Sequence, residues 1–360
     1  MSLRNFSTSG FARQARCKSP VIPNTSIKIF SRIQSFRQWR RRQIFDHRSV
    51  GLVPTMGALH EGHLSLIRLA ARKNAAVVVS IYVNPSQFGV SEDLDSYPQT
   101  FDKDIQLLRD LDNDLACDGS NFGKIAAVFA PTTSEMYPDN CFSQEIGGNG
   151  SFVNIKPLDE LLEGTSRPTF FRGVATICTK LFNIVTPDTA YFGQKDIQQT
   201  IIIKKMIKDF CIDTEVIVGE TQRESDGLAL SSRNQYLGTR RRQVATVLIK
   251  SLRLIEEEYL KGNRMRDSLL QPALNFIRTI KDEQDRLGEV GVQFLLDYIS
   301  LADPQTLEEV GEVNEDKGAI ISGAIKMLPL DNPSPNEYLG QANGPMVRLI
   351  DNIILSPTEN

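Results

Sequence analysis

Residues 50–83 read VGLVPTMGALHEGHLSLIRLAARKNAAVVVSIYV. The stretch opens on a short apolar run, 50–53, and turns at Pro54-Thr55-Met56-Gly57. Helical spacing follows over 65–73, and 75–83 is a continuous run rich in Val and Ile. Such a run, apolar without alternation, is what a strand buried on both faces looks like.

The same alternation continues outward. Helices are predicted over 100–111, 173–184 and 196–209, and strands over 125–130, 189–192 and 214–218. Strands alternating with helices through short turns specify an α/β protein with a Rossmann-like, doubly wound parallel sheet. Ligands of such sheets lie beyond the carboxyl ends of the strands. That rule singles out 54–63, 84–88, 131–138 and 193–196, all rich in polar groups. Upstream, 29–45 reads as one amphipathic helix with Trp39 near its seam and Arg40, Arg41 and Arg42 on its solvated face. Past Gln222 two helices, 240–260 and 264–281, precede strand-like runs at 292–300, 318–328 and 347–355. They suggest a smaller C-terminal α+β domain. Segments 112–124 and 141–163 read as loop insertions, and 331–344 as a loop rich in Pro, Asn and Gly. The expected division is a basic extension over 1–27, a Rossmann-like domain over 28–221 and an α+β lid domain over 222–360.

The chain has 360 residues, 41% hydrophobic and 24% charged, which are ordinary values for a soluble globular protein. No stretch approaches the roughly 18 apolar residues of a membrane helix. Residues 1–45 hold ten Lys or Arg and no acid, so the whole-chain charge of −3 leaves −13 on residues 46–360. An acidic body argues against general nucleic-acid binding. Five widely spaced Cys without a CxxC argue for a reducing compartment and against a zinc knuckle. Residues 1–27, with four basic residues, seven Ser or Thr and no acid, have the composition of a mitochondrial transit peptide. A basic tail on a cytoplasmic protein has it too, so both compartments stay open.

His60 and His63 lie three apart and share a helix face. They fall where a helix begins just after a strand, and its free N–H groups and dipole suit phosphate. Gly57 and Gly62 let backbone approach a ligand. Two imidazoles there can donate to a triphosphate and stabilise charge on a leaving pyrophosphate. A zinc protease is excluded by spacing, since that motif sets its two His four apart. A surface His pair is the structural alternative, yet two of only three His fall in this one turn. Leu230-Ser231-Ser232-Arg233 offers two hydroxyls and a guanidinium to phosphate oxygens; it also reads as an ordinary loop and N-cap. In Gly193-Gln194-Lys195-Asp196, Lys195 can meet a phosphate and Asp196 can cap the helix. Asn84, Gln87 and Gln199 offer amides for a small polar acid or alcohol. Together these motifs indicate an adenylate-forming nucleotidyltransferase.

The same residues resemble one family closely, the pantothenate synthetases or pantoate–β-alanine ligases. The likeness rests on VGLVPTMGALHEGHLSLIRLA (50–70), VVVSIYVNPSQFG (77–89), EDLDSYP (92–98), VFAPTTSEMYP (128–138), FRGVATICTKLFNIVTPDTAYFGQKDIQQ (171–199) and ESDGLALSSRN (224–234). A weaker echo continues through LDYISLADPQTLE (296–308) and RLIDNIIL (348–355). The resemblance implies ATP with Mg²⁺, a pantoyl-adenylate intermediate and capture by β-alanine. It implies ATP contacts from Met56, Gly57, His60, Gly62, His63, Gly193, Gln194, Lys195, Asp196, Gln222, Leu230, Ser231, Ser232 and Arg233. His63 would be the proton donor. Pro54, Thr55, Asn84, Gln87 and Gln199 would face pantoate and β-alanine, and Asp104 would be a carboxylate on the Mg²⁺ side. A homodimer through the N-terminal domain is also implied. There are departures: the family's RPGHFRG is RPTFFRG here (167–173), its MSSR has Leu230, its FGEKD has Gln194, and Gln222 stands for Val. Another enzyme of the same fold acting on a different small acid is the alternative. A regulator that had lost activity would lack His60, His63 or Lys195, and all three are present.

Overall fold

Six parallel strands carry the first part of the chain: β1 (Lys28–Phe30), β2 (Val50–Thr55), β3 (Ala76–Ile81), β4 (Lys124–Phe129), β5 (Thr189–Gly193) and β6 (Glu215–Gly219). Their order across the sheet is β1-β4-β3-β2-β5-β6. The structure is a computed structural model and describes residues 22, 25–90, 92, 94–119, 121–139 and 142–357. Among the described residues, seven helices accompany the sheet: α1 (Ile33–Phe45), α2 (Glu61–Lys73), α3 (Phe101–Cys117), the single turns α4 (Thr133–Met136) and α5 (Glu163–Ser166), α6 (Phe170–Val185) and α7 (Ile197–Asp209). Apolar residues of α1, α6 and α7 form one core with the sheet. Those of α2 and α3 form another. Helices therefore cover both faces, and the expected doubly wound α/β sheet is what the chain forms.

Strand order reverses at β2, since β3 and β4 step to one side and β5 and β6 to the other. Between β2 and β5 lies the switch-point crevice of such sheets. Pro54 stands at its edge. β2 pairs with β5 only at Gly51 and Leu52. Val50 donates toward the β5 side, to Asp188 at 2.7 Å, so by alternation the nitrogen of residue 54 faces that side as well. A proline there has no N–H to offer, and no ladder bond is lost because the strands have already diverged.

A second body follows. Helices α8 (Gly238–Val244), α9 (Val247–Leu260) and α10 (Arg266–Arg286) precede β7 (Phe294–Ala302), β8 (Ala319–Met327) and β9 (Val347–Leu355). The strands form an antiparallel sheet in the order β7-β8-β9. It shares its own apolar core with α9 and α10.

Several expectations need correction. Residues 28–30 are an edge strand on β4 rather than the start of α1. Arg40 is not solvated: it is buried, and its guanidinium donates to the carbonyls of Val185 and Thr186 at 2.9 and 2.8 Å. Segment 112–124 is not loop throughout. α3 runs on to Cys117, because Leu108, Leu111 and Leu115 keep one apolar face, and buried Asp112 accepts from the Ile125 N–H at 3.2 Å. The helix expected over 240–260 is two, α8 and α9. Of the basic extension, residues 1–21, 23 and 24 lie outside the described ones. Ile22 and Ile27 are 1% and 0% exposed and belong to the core beside α2 and α3.

Candidate active site

His60 caps α2. Its Nδ1 accepts from the Gly62 N–H at 3.1 Å, and its own backbone N–H donates to Nδ1 of His63 at 3.4 Å. The rings lie 4.2 Å apart. An imidazole that accepts at Nδ1 is neutral and carries its proton on Nε2. Loss of water lowers both pKa values, to about 4 at His60 and about 3 at His63. The nearby Lys195 ammonium adds to this at both rings, and His60 adds to it at His63. The pair thus offers the crevice two neutral N–H donors at the positive end of a helix.

The turn before them needs glycine. Gly57 has φ +83°, and an added Cβ would come within 3.0 Å of Oδ2 of Asp104 and 3.2 Å of Ile81. Asp104 holds this turn from α3. Its carboxylate accepts from the N–H groups of Ala58 and Leu59 at 3.0 and 2.8 Å and from Oγ1 of Thr100 at 3.1 Å. It is 1% exposed. Asp104 is therefore the clamp of the β2–α2 loop, its carboxylate taken up by three donors. Burial pushes its pKa up, and the three donors oppose that shift.

Opposite stands a 3₁₀ turn, Pro85–Gln87, after β3. Buried Asn84 organises it by donating to Oε1 of Gln87 at 3.1 Å and to the Gly173 carbonyl at 3.2 Å. Asn84 also accepts from the Tyr137 hydroxyl at 2.8 Å. The close contact with α6 requires Gly173, whose Cβ would fall 2.2 Å from the Ser86 carbonyl oxygen. The Gln87 amide, so aimed, donates to Sδ of Met56 at 3.0 Å.

The third wall is the 3₁₀ turn Gln194–Asp196 after β5, with Gln199 one turn into α7. The fourth is the arm 222–236. Ser231 caps a 3₁₀ turn, Ser232–Tyr236, by accepting from the Arg233 N–H at 3.2 Å. The arm is docked across the cleft: Oγ of Ser232 lies 3.3 Å from the Tyr97 hydroxyl, and Tyr236 donates to the Ser96 carbonyl at 2.8 Å. The Arg233 guanidinium lies over the Tyr97 ring at 5.8 Å.

These walls enclose a cavity of about 230 Å³. Pro54, Thr55, Met56, His60, Gly62, His63, Asn84, Gln87, Gly193, Lys195, Asp196, Gln199, Gln222, Leu230, Ser231, Ser232 and Arg233 all line it. Gly57, Asp104 and Gln194 do not. The Gln194 side chain turns away to Oδ1 of Asn352 on β9, at 3.3 Å. Lys195, Gln199 and Arg233 also border a larger cavity of about 560 Å³ between the two bodies.

Residues 28–354 match the family model described as pantoate-beta-alanine ligase. The chain belongs to the pantoate–β-alanine ligase family. Among the relatives of this family, a pantothenate synthetase of Roseiflexus castenholzii is 42% identical over 301 residues, 84% of this chain and 95% of its own. A pantoate–β-alanine ligase of Saccharomyces cerevisiae is 38% identical over 339 residues, 91% of this chain and 100% of its own. Among solved structures, pantothenate synthetase from Thermus thermophilus superposes with a TM-score of 0.72 at 34% identity, covering 92% of this chain and 100% of its own. The Francisella tularensis pantoate-beta-alanine ligase, complexed with beta-gamma ATP and beta-alanine, gives 0.60 at 32% identity, covering 91% of this chain and 97% of its own.

Sequence reading missed several residues that build this ligase-family site. Tyr97, in the EDLDSYP segment, meets Ser232 and Arg233 of the arm. Arg167 borders both cavities and is held by Glu92 at 2.7 Å, with its guanidinium stacked 3.8 Å over Phe170. Neither Asp351 nor Asn352 carries any local signal beyond the RLIDNIIL echo.

Proposed function

We propose that this chain condenses (R)-pantoate with β-alanine at the expense of ATP, through a pantoyl adenylate. The observation that carries the reading is the convergence of His60, His63, Lys195 and the 230–233 loop on one cleft, which Gln87 and Gln199 also line. The first set suits the phosphates of ATP, and the glutamines suit the carboxylate and hydroxyls of pantoate. A pantoate carboxylate oxygen would attack the α-phosphorus, and pyrophosphate would leave with the electrons of the broken P–O bond. The β-alanine amine would then attack the acyl carbon, releasing AMP and shedding a proton.

This chemistry needs placement and charge stabilisation more than covalent help. His63 would act through its neutral Nε2–H, as a hydrogen-bond donor that strengthens as charge builds on the departing pyrophosphate. His60 would do the same from the N-cap. Lys195 would add a point charge, and Ser231, Ser232 and Arg233 would close over the phosphates from the arm. Asn84 would work indirectly, by aiming Gln87. Among the described residues no group of three or more His, Cys, Asp or Glu forms a metal site. Mg²⁺ would then arrive on the phosphates of ATP, with single carboxylates such as Asp196 within the cleft.

We take 28–221 as the nucleotide- and pantoate-binding domain and 222–360 as the lid carrying the phosphate loop. A homodimer is expected in sedimentation. A fluorescent fusion of residues 1–27 would tell a mitochondrial from a cytoplasmic address. The deciding experiment supplies the full chain with ATP, Mg²⁺, pantoate and β-alanine, omitting one at a time. AMP and pantothenate together, only with all four present, support the proposal. Untouched ATP would overturn it.

A further inference from the structure

We propose that Asp351 and Asn352, adjacent on β9, are positioning residues that hold the two phosphate-facing elements in register with each other. The proposal rests on the function read above. The Asn352 carboxamide is 1% exposed and wholly engaged by one turn. Its Nδ2 donates to the carbonyls of Gln194 and Lys195 at 2.8 and 2.9 Å, and its Oδ1 accepts from Nε2 of Gln194 at 3.3 Å. It thus fixes the backbone on both sides of the peptide that carries Lys195.

Asp351, 4% exposed, does the same for the other element. It takes Arg223 bidentately, at 2.6 and 2.9 Å. Arg223 sits at the root of the phosphate arm. It donates to the Gly227 carbonyl at 3.1 Å and forms a backbone bridge with Ala229, while the N–H of Leu230 donates to the Gln222 carbonyl at 2.9 Å. The Asn352 N–H donates to the Asp351 carboxylate at 2.8 Å, so the two contacts are joined. Two consecutive residues of the C-terminal sheet therefore grip the Lys195 turn with one side chain and the root of the 230–233 loop with the next. A shift of this sheet moves both together.

Asn352→Leu keeps the bulk and removes every side-chain hydrogen bond. Asn352→Asp keeps the shape and removes the donor. In ATP–pyrophosphate exchange with pantoate, both should raise KM for ATP by about tenfold or more, a scale set by loss of placement near an ångström. KM for pantoate should move much less. In the free protein, amide hydrogen exchange across 193–199 should quicken. Wild-type KM for ATP in both variants would overturn the proposal. So would equal rises in both KM values that track a fall in melting temperature, because that pattern belongs to mere interdomain packing. If the unaltered chain forms no pantoyl adenylate, the functional reading fails on its own. Hydrogen exchange then decides, and unchanged protection of 193–199 in both variants would overturn the positioning role.

Discussion

The role proposed for His63 rests on its protonation state. With its pKa pushed down to about 3 and its Nδ1 occupied by a backbone N–H, it faces the cleft as a neutral donor at physiological pH. Long-range proton–nitrogen NMR should find both His60 and His63 as Nε2–H tautomers from pH 5 to 8; a ring titrating near 6.5 would contradict this. The sign for stability follows. Between about 3 and the ordinary 6.5 the unfolded chain binds more protons than the native one, so stability is present above 6.5 and lost as pH falls through that window. His63→Ala should lower the adenylation rate by roughly 10²–10³, the scale of losing one preorganised donor. A rate within twofold of wild type would remove His63 from the machinery. Gln87→Ala should raise KM for pantoate and leave ATP binding unchanged, and a selective loss of ATP binding would contradict its placement. That these residues share one cleft was legible in the sequence because HEGH, NPSQ, GQKD and LSSR are each contiguous and lie in the polar segments that follow the regular elements.

At the scale of the element, Asp104 is the instructive case. Resemblance alone set it beside a metal, but α3 delivers it to the N–H groups of Ala58 and Leu59, out of the cleft. Asp104→Asn would turn an amide donor toward one of those donors. A destabilisation of about 2 kcal/mol is expected from a buried group left unpaired, read by chemical denaturation. The Mg²⁺ concentration for half-maximal activity should stay put, whereas a steep rise would restore Asp104 to the metal. Helix and strand cores were readable from periodicity. Two of the errors came where a polar residue finds a distant partner. Asp112 suggests a helix end but is taken up by Ile125, and Arg40 suggests solvent but is taken up by the carbonyls that end α6. Neither partner is visible within a local window.

At the scale of the whole molecule, what the sequence hid most completely is how the two bodies are joined. Glu163 on α5 is 6% exposed and meets Arg348 on β9, 185 residues away, through both carboxylate oxygens, one of them at 2.8 Å. The Tyr298 hydroxyl donates to the same carboxylate at 2.8 Å, and Asp297 takes the other side of the Arg348 guanidinium at 2.6 Å. Glu163 is also tied to its own body, since its N–H donates to Oε1 of Gln198 on α7 at 3.1 Å. The cluster forms part of the wall of the larger cavity and bonds the parallel sheet's body to the antiparallel one. Removing one member of a buried pair leaves the other charge uncompensated, at about 3–5 kcal/mol. Asp297 remains for Arg348, so the lower end applies to Glu163→Ala. Because the lost contact lies between the bodies and in neither core, calorimetry should show the unfolding transition broaden or split, with the first part moved to lower temperature. A single transition at the wild-type temperature would mean that the apolar contacts between the bodies hold them together without the ion pair.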